Sequence, residues 1–122
     1  MVVLVVDDNE TVGRALVRDL RMLGRQAVFV TTPLDAIKYL QSDLSRVEVA
    51  MVDFDLLTSD GLQVLSFLEK EYPGVRRVLM SGCVGAPVLE RAAISGFAEA
   101  TFEKPWDRER LSQILSDLQI GD

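Results

Sequence analysis

Histidine is absent from this chain, and cysteine occurs only once among its 122 residues. The missing imidazole removes the most common zinc ligand and the usual general base of hydrolytic enzymes. The single thiol, Cys83, has no partner for an internal disulfide, which fits a reducing compartment. We therefore expect a cytoplasmic protein whose chemistry depends on carboxylates, hydroxyls and amines.

Basic residues are also few, because 13 Lys and Arg face 19 Asp and Glu, giving a net charge of −6. Non-specific nucleic-acid binding needs Lys and Arg to neutralise phosphates, so we expect no direct nucleic-acid binding. The densest basic spots, Arg76-Arg77 and 108–110, are interpreted as solvated surface. No apolar run approaches the roughly 20 residues that cross a bilayer, so we expect no membrane span.

Strand-like and helix-like segments alternate along the whole chain. Its length and 48% hydrophobic content fit one domain over residues 1–122. Strict alternation implies a parallel sheet with helices on both faces, joined by right-handed crossovers. The predicted strands cover 2–6, 26–30, 47–52, 75–80 and 98–102, and the predicted helices cover 9–23, 32–40, 62–72, 87–95 and 107–120.

Polar residues stand where four of these strands stop, namely Asp7 and Asp8, Asp53, Ser81, and Lys104. In open α/β sheets, ligands bind beyond the carboxyl ends of the strands, where the strand order reverses. Three carboxylates, a hydroxyl and an ammonium at one edge can hold a divalent cation beside a phosphoryl group.

The acids suit magnesium, which prefers oxygen ligands and keeps several waters. Asp8 and Asp53 can each give one oxygen, and Asp7 can act directly or through a water. Asp7-Asp8-Asn9 alone is more typical of a loop and helix cap than of a metal site. It is Asp53, at a second strand end, that favours a metal site.

The hydroxyl and the amine suit a phosphoryl group. Ser81 can donate to a phosphoryl oxygen, and Lys104 can act as a mobile point charge. A cis Lys104-Pro105 bond would direct the lysine sideways into the pocket. Asp60-Gly61 is expected to form a turn into the following helix, with a structural role for Asp60.

Together these motifs resemble the receiver domain of two-component response regulators over essentially the whole chain. Each motif is common alone, but their order and placement at strand ends are specific. The resemblance implies a flavodoxin-like (βα)5 fold, a three-layer α/β sandwich around a five-stranded parallel sheet of order 2-1-3-4-5. The matching motifs are Asp7-Asp8, Asp53, Asp60-Gly61, Ser81-Gly82 and Lys104-Pro105.

The resemblance also implies a signalling switch rather than an enzyme, one that catalyses its own phosphorylation and dephosphorylation. Asp53 would accept a phosphoryl group from a sensor histidine kinase or a phosphotransfer protein. Mg²⁺ would be bound by Asp8, Asp53 and the backbone carbonyl of Asp55, with Asp7 acting through a water. Ser81 and Lys104 would contact the phosphoryl oxygens.

Phosphorylation would then shift the surface made by the fourth helix, fifth strand and fifth helix, roughly 87–120. That surface would serve an output domain, fused or separate, or a homodimer. Three departures from the family pattern involve four positions. Thr101 replaces the usual switch aromatic, Leu57 replaces a frequent proline, and Asp55 and Cys83 occupy positions that tune dephosphorylation.

Two other functions stay open at the level of sequence. One is a receiver-like interaction module that is not phosphorylated, which the missing switch aromatic favours. The other is a phosphatase of the haloacid-dehalogenase type, which residues 53–57 faintly resemble. Those phosphatases carry this motif on their first strand, whereas here a β-α-β-α passage precedes it.

Overall fold

The computed structural model describes residues 2–42, 46–57, 60–82 and 96–119. Cys83 and the helix predicted over 87–95 lie outside the described residues. The strands are β1 (Val2–Val6), β2 (Gln26–Val30), β3 (Val47–Asp53), β4 (Arg76–Ser81) and β5 (Ala100–Glu103). The helices are α1 (Glu10–Met22), α2 (Pro33–Gln41), α3 (Gly61–Glu71) and the C-terminal helix (Arg108–Asp117).

The five strands form one parallel sheet in the order β2-β1-β3-β4-β5. The predicted α/β fold and strand order are therefore confirmed. The order reverses between β1 and β3, which lie side by side in the middle of the sheet. The register aligns Val6 with Val52 and Ser81 with Glu103, so the carboxyl ends of four strands meet at one edge.

Two apolar clusters lie on the two faces of the sheet, because neighbouring residues of a strand point to opposite sides. On one face, Val5 and Met51 pack with Leu16 of α1 and Leu111 of the C-terminal helix. On the other face, residues of β1, β3 and β4 pack with α2 and α3. Helices thus cover both faces, as the unbroken apolar strands predicted.

Each helix begins at a side chain that accepts a backbone N–H from the residue three positions later, which stabilises the helix start. The four capping residues are Asn9, Thr32, Asp60 and Asp107. The structural role predicted for Asp60 is confirmed, because its carboxylate accepts the Gln63 N–H at 2.9 Å.

The strand β5 begins two residues later than predicted. Its pairing with β4 starts at Ala100, opposite Val78. The preceding Glu99 instead directs its carboxylate to Arg76, at 2.7 Å. None of the helices that the structure describes is both long and apolar enough to cross a membrane.

Candidate phosphoryl and metal site

Four strand ends bring the predicted site residues to one edge of the sheet. Asp7 directly follows β1, Asp53 ends β3, Ser81 ends β4, and Lys104 directly follows β5. The backbone N–H of Lys104 donates to the Ser81 carbonyl at 2.8 Å, which continues the strand pairing up to the lysine. The sheet itself therefore determines where these side chains start.

The Lys104 ammonium lies between two buried carboxylates. Its Nζ is 2.6 Å from Asp7 Oδ2 and 3.0 Å from Asp53 Oδ1. Asp7 is fully buried, at 0% exposure, and Asp53 is 4% exposed. The Lys104–Pro105 peptide is cis. The other oxygen of Asp7 accepts the backbone N–H of Asn9 at 2.9 Å, so Asp7 supports the start of α1 as well as the lysine.

Three carboxylates at the same place lie close enough together to share one metal ion. Asp7, Asp8 and Asp53 each offer an oxygen, and these oxygens lie within 4.8 Å of one another. Asp8 is only partly buried, which leaves solvent access for the waters that Mg²⁺ retains. This set of hard oxygen ligands fits Mg²⁺, as the sequence predicted.

Burial and charge set the protonation of the site. Burial raises the pKa of Asp53 from 3.8 to about 6. The hydrogen bond and charge of Lys104 oppose this rise, and the charges of Asp7 and Asp55 add smaller increases to the pKa. Burial alone would lower the pKa of Lys104, but its pairs with Asp7 and Asp53 outweigh burial and raise it. Three carboxyl groups share the site with one ammonium, and a divalent cation would neutralise the negative charge that the ammonium leaves unpaired.

The Ser81 hydroxyl is buried and has no hydrogen-bond partner in the part of the chain that the structure describes. A buried polar group without a partner is unfavourable by about 1–3 kcal/mol. Such a group in a native fold calls for an explanation, such as a ligand that it binds. An incoming phosphoryl oxygen would provide the missing acceptor.

The loop after β3 is held close to the site by Gly61. A Cβ on this residue would lie 2.4 Å from the Asp53 carbonyl oxygen, so only glycine lets α3 begin here. Gly61 N–H also donates to the Phe54 carbonyl at 2.8 Å, and Asp55 pairs with Asp60 in an isolated antiparallel bridge. The ligand role of the Asp55 carbonyl stays a prediction. Sequence alone marked Gly61 only as part of a turn.

Two residues beside the site, Trp106 and Asp19, were not singled out from sequence as site residues. The indole N–H of Trp106 donates to Asp19 Oδ2 of α1 at 2.9 Å. The Trp106 ring also packs edge-on against Phe102, with 6.0 Å between ring centroids. The sequence contained one signal for a role of Trp106, because the only tryptophan of the chain stands two positions after Lys104.

Thr101, at the place of the usual switch aromatic, is partly buried, and its carbonyl accepts from Arg110 Nη2 at 2.8 Å. Its aromatic neighbour Phe102 is buried at 2% exposure. Leu57, at the place of a frequent proline, is 89% exposed.

Comparison with known proteins agrees with this arrangement. The family model of the response regulator receiver domain matches residues 3–116. Sensor protein TorS of Escherichia coli (strain K12) is 31% identical over an alignment of 122 positions that covers 98% of this chain and 13% of that protein. The chain therefore spans a small part of this curated relative.

Solved structures give the same result for the fold. A response regulator receiver protein from Burkholderia phymatum is 28% identical, with a TM-score of 0.84 over 98% of this chain and 96% of that one. A response regulator receiver domain protein from Clostridium thermocellum has a TM-score of 0.85 at 17% identity, covering 95% of this chain and 91% of that one, and supports the fold alone.

The phosphatase alternative loses its support, because its motif begins at the end of the third strand, inside a match to another family. The family match, the order of the strands and the acidic residues at the strand ends all indicate one family. The chain belongs to the family of response regulator receiver domains, the phosphorylation switches of two-component signalling.

Proposed function

We propose that this chain, over residues 1–122, is a phosphoacceptor switch in which Asp53 receives the phosphoryl group of a phosphohistidine. The donor is a sensor histidine kinase or a phosphotransfer protein. One observation carries the proposal: the buried Asp53 carboxylate lies 3.0 Å from the Lys104 ammonium and within 4.8 Å of oxygens from Asp7 and Asp8.

In the transfer step, an oxygen of the Asp53 carboxylate forms a bond to phosphorus while the phosphorus–nitrogen bond of the donor breaks. The bonding electrons remain on the imidazole nitrogen, which then takes a proton from water. Such transfers depend on in-line positioning and on neutralising charge rather than on covalent help from the protein. Lys104, now paired with Asp53, would pair with a phosphoryl oxygen, and Ser81 would donate its hydrogen bond to another.

The acids would hold Mg²⁺ through Asp8, Asp53 and the backbone carbonyl of Asp55, with Asp7 acting through a water. The ion would supply charge neutralisation beside the phosphoryl group. The excess of carboxylates over ammonium in the site supports this proposal, because the acids otherwise repel one another.

The acyl phosphate would add roughly −1.5 to −2 charge, by analogy with other phosphorylated side chains. New bonds from Ser81 and Lys104 would pull their loops towards it and bias the surface around β5 and the C-terminal helix. This surface would contact an output domain, fused or separate, or a second copy of the chain. We place this switch in the cytoplasm.

The test is the intact mass of the protein after incubation with acetyl phosphate and Mg²⁺. The wild type should gain one phosphoryl group, and Asp53→Asn should gain none. Asp60→Asn, the matched control, should gain the group, because asparagine also caps a helix. EDTA should abolish the gain. A wild type that stays unmodified would support the interaction-module alternative, and a gain that persists in Asp53→Asn would refute the assigned acceptor.

A further inference from the structure

The segment that carries the site lysine is hydrogen-bonded to α1 through the side chain of Trp106. Trp106, two residues after Lys104, donates its indole N–H to Asp19 Oδ2 at 2.9 Å. Lys104, Pro105 and Trp106 line one side of an open groove, and residues of α1 including Asp19 line the other. The hydrogen bond therefore joins two residues that line this groove and connects the lysine segment to α1.

The same ring also restrains the other side of the lysine. Phe102, two residues before Lys104, is 2% exposed and packs with its ring at 81° to that of Trp106. The residues on either side of Lys104 are thus held against each other. Phe102 belongs to the strand β5, whereas Trp106 lies beyond it, and the bond to Asp19 is the hydrogen bond that its indole makes.

The surroundings of the Asp19 carboxylate favour this hydrogen bond. Its side chain is only 15% exposed, and its other oxygen lies 3.6 Å from Arg18 Nε and 3.8 Å from Arg108 Nε. Both arginines are more than half exposed, so they are weaker restraints than the short bond from the partly buried indole. A hydrogen bond to an ionised acceptor is roughly twice as strong as one between neutral groups.

We infer that Trp106 is a positioning residue for phosphoryl transfer: through its N–H bond to Asp19 and its contact with Phe102, it holds Lys104 where the ammonium meets Asp7 and Asp53. The inference rests on the proposed function of Asp53. It attributes the position of the Lys104 ammonium to the hydrogen bond between α1 and the segment after β5. Phosphoryl transfer is sensitive to such positioning, since a displacement of about 1 Å can slow an enzymatic step by a factor on the order of 100.

The variants separate the bond from the ring. Trp106→Phe keeps an aromatic ring and removes the N–H donor. Asp19→Ala removes the acceptor, whereas Asp19→Asn keeps an acceptor oxygen. Phe67→Leu alters a second aromatic pair among the described residues, which Phe67 of α3 forms with Tyr72 directly after that helix, with 6.2 Å between ring centroids, and so controls for a general loss of packing.

The measurement is the rate of Asp53 phosphorylation as a function of acetyl phosphate concentration, with folding checked by circular dichroism. Trp106→Phe and Asp19→Ala should lower the maximal rate by a factor on the order of ten, with little change in the half-saturating concentration. Asp19→Asn should keep most of the wild-type rate, and Phe67→Leu should keep all of it. An unchanged rate in Trp106→Phe, or an equal loss in both Asp19 variants, would overturn the inference.

A double-mutant cycle tests whether Trp106 acts through the lysine. In a Lys104→Met background, Trp106→Phe should cause no further loss of rate. If it slows that background by the same factor as the wild type, the tryptophan acts elsewhere and the inference is wrong.

A wild type that takes up no phosphoryl group would refute the proposed function, and the positioning would then be judged by NMR alone. The side-chain signals of Lys104 should move in Trp106→Phe and Asp19→Ala but not in Asp19→Asn. Unmoved signals would reject the positioning role independently of any phosphorylation.

Discussion

Asp53 should make the folded protein less stable as the pH rises, and asparagine at this position should remove that dependence. Burial raises the pKa of Asp53 from 3.8 to about 6, a value that already includes the attraction of Lys104. A group with a raised pKa binds its proton more tightly in the folded chain than in the unfolded chain. Its contribution to stability is therefore complete below pH about 4 and is lost as the pH rises through about 6.

The size of the effect follows from the shift. One pKa unit corresponds to about 1.4 kcal/mol, so the rise from 3.8 to about 6 amounts to about 3 kcal/mol. No large correction for solvent is needed, because the Asp53 residue is 4% exposed. We expect the free energy of unfolding of Asp53→Asn to exceed that of the wild type by about 3 kcal/mol at pH 7.5 and by about 1.5 kcal/mol at pH 5.

Urea unfolding followed by circular dichroism, in buffer with EDTA, measures this difference. Asp60→Asn controls for the loss of a carboxylate in the same loop and should lie close to the wild type at pH 7.5, since asparagine is an equally good cap. Adding Mg²⁺ should stabilise the wild type more than Asp53→Asn. An Asp53→Asn protein no more stable than the wild type at pH 7.5, or an increment equal at both pH values, would refute the reasoning.

Three further variants test the other parts of the site. Asp8→Asn should raise the free energy of unfolding in EDTA by about 1 kcal/mol and remove the stabilisation by Mg²⁺, as urea unfolding with and without the ion would report; a decrease would argue against clustered charges. Ser81→Ala should unfold with an equal free energy or one up to about 1 kcal/mol higher, because it removes a buried hydroxyl that has no partner among the described residues, yet should accept phosphate more slowly in a mass time course. Gly61→Ala should lose about 1–3 kcal/mol in urea unfolding, whereas Gly74→Ala, where an added Cβ meets nothing within 4 Å, should lose less; equal losses would contradict the close approach to Asp53.

The fold was predictable because its signals are local. Continuous apolar runs indicated buried parallel strands, and Asn9 and the Thr32-Pro33 pair indicated helix starts that the structure confirms. The site could be anticipated from strand ends, because parallel strands bring their carboxyl ends to one edge. That reasoning predicted the grouping of Asp8, Asp53 and Lys104, while the roles assigned to them remain predictions.

Long-range contacts were not predictable in the same way. The interpretation of Arg77 as solvated surface is wrong, because the residue is 9% exposed and its Nε donates to the Phe97 carbonyl at 2.8 Å. Its charge suggested exposure, whereas its acceptor lies 20 positions further along the chain. The Trp106–Asp19 bond escaped prediction for the same reason, as 87 positions separate its partners.

The contact between Lys104 and Asp7 joins positions 97 apart in the sequence. Closing a flexible loop of that length opposes the contact by about 4 kcal/mol, so it needs the intervening strands in place before it can persist. During synthesis Asp7, Asp8 and Asp53 leave the ribosome before Lys104. Their carboxylates therefore lack the neutralising ammonium until β5 and the lysine after it have emerged. If Asp53 accepts a phosphoryl group as proposed, an unfinished chain would therefore lack the lysine that neutralises the charge of that group.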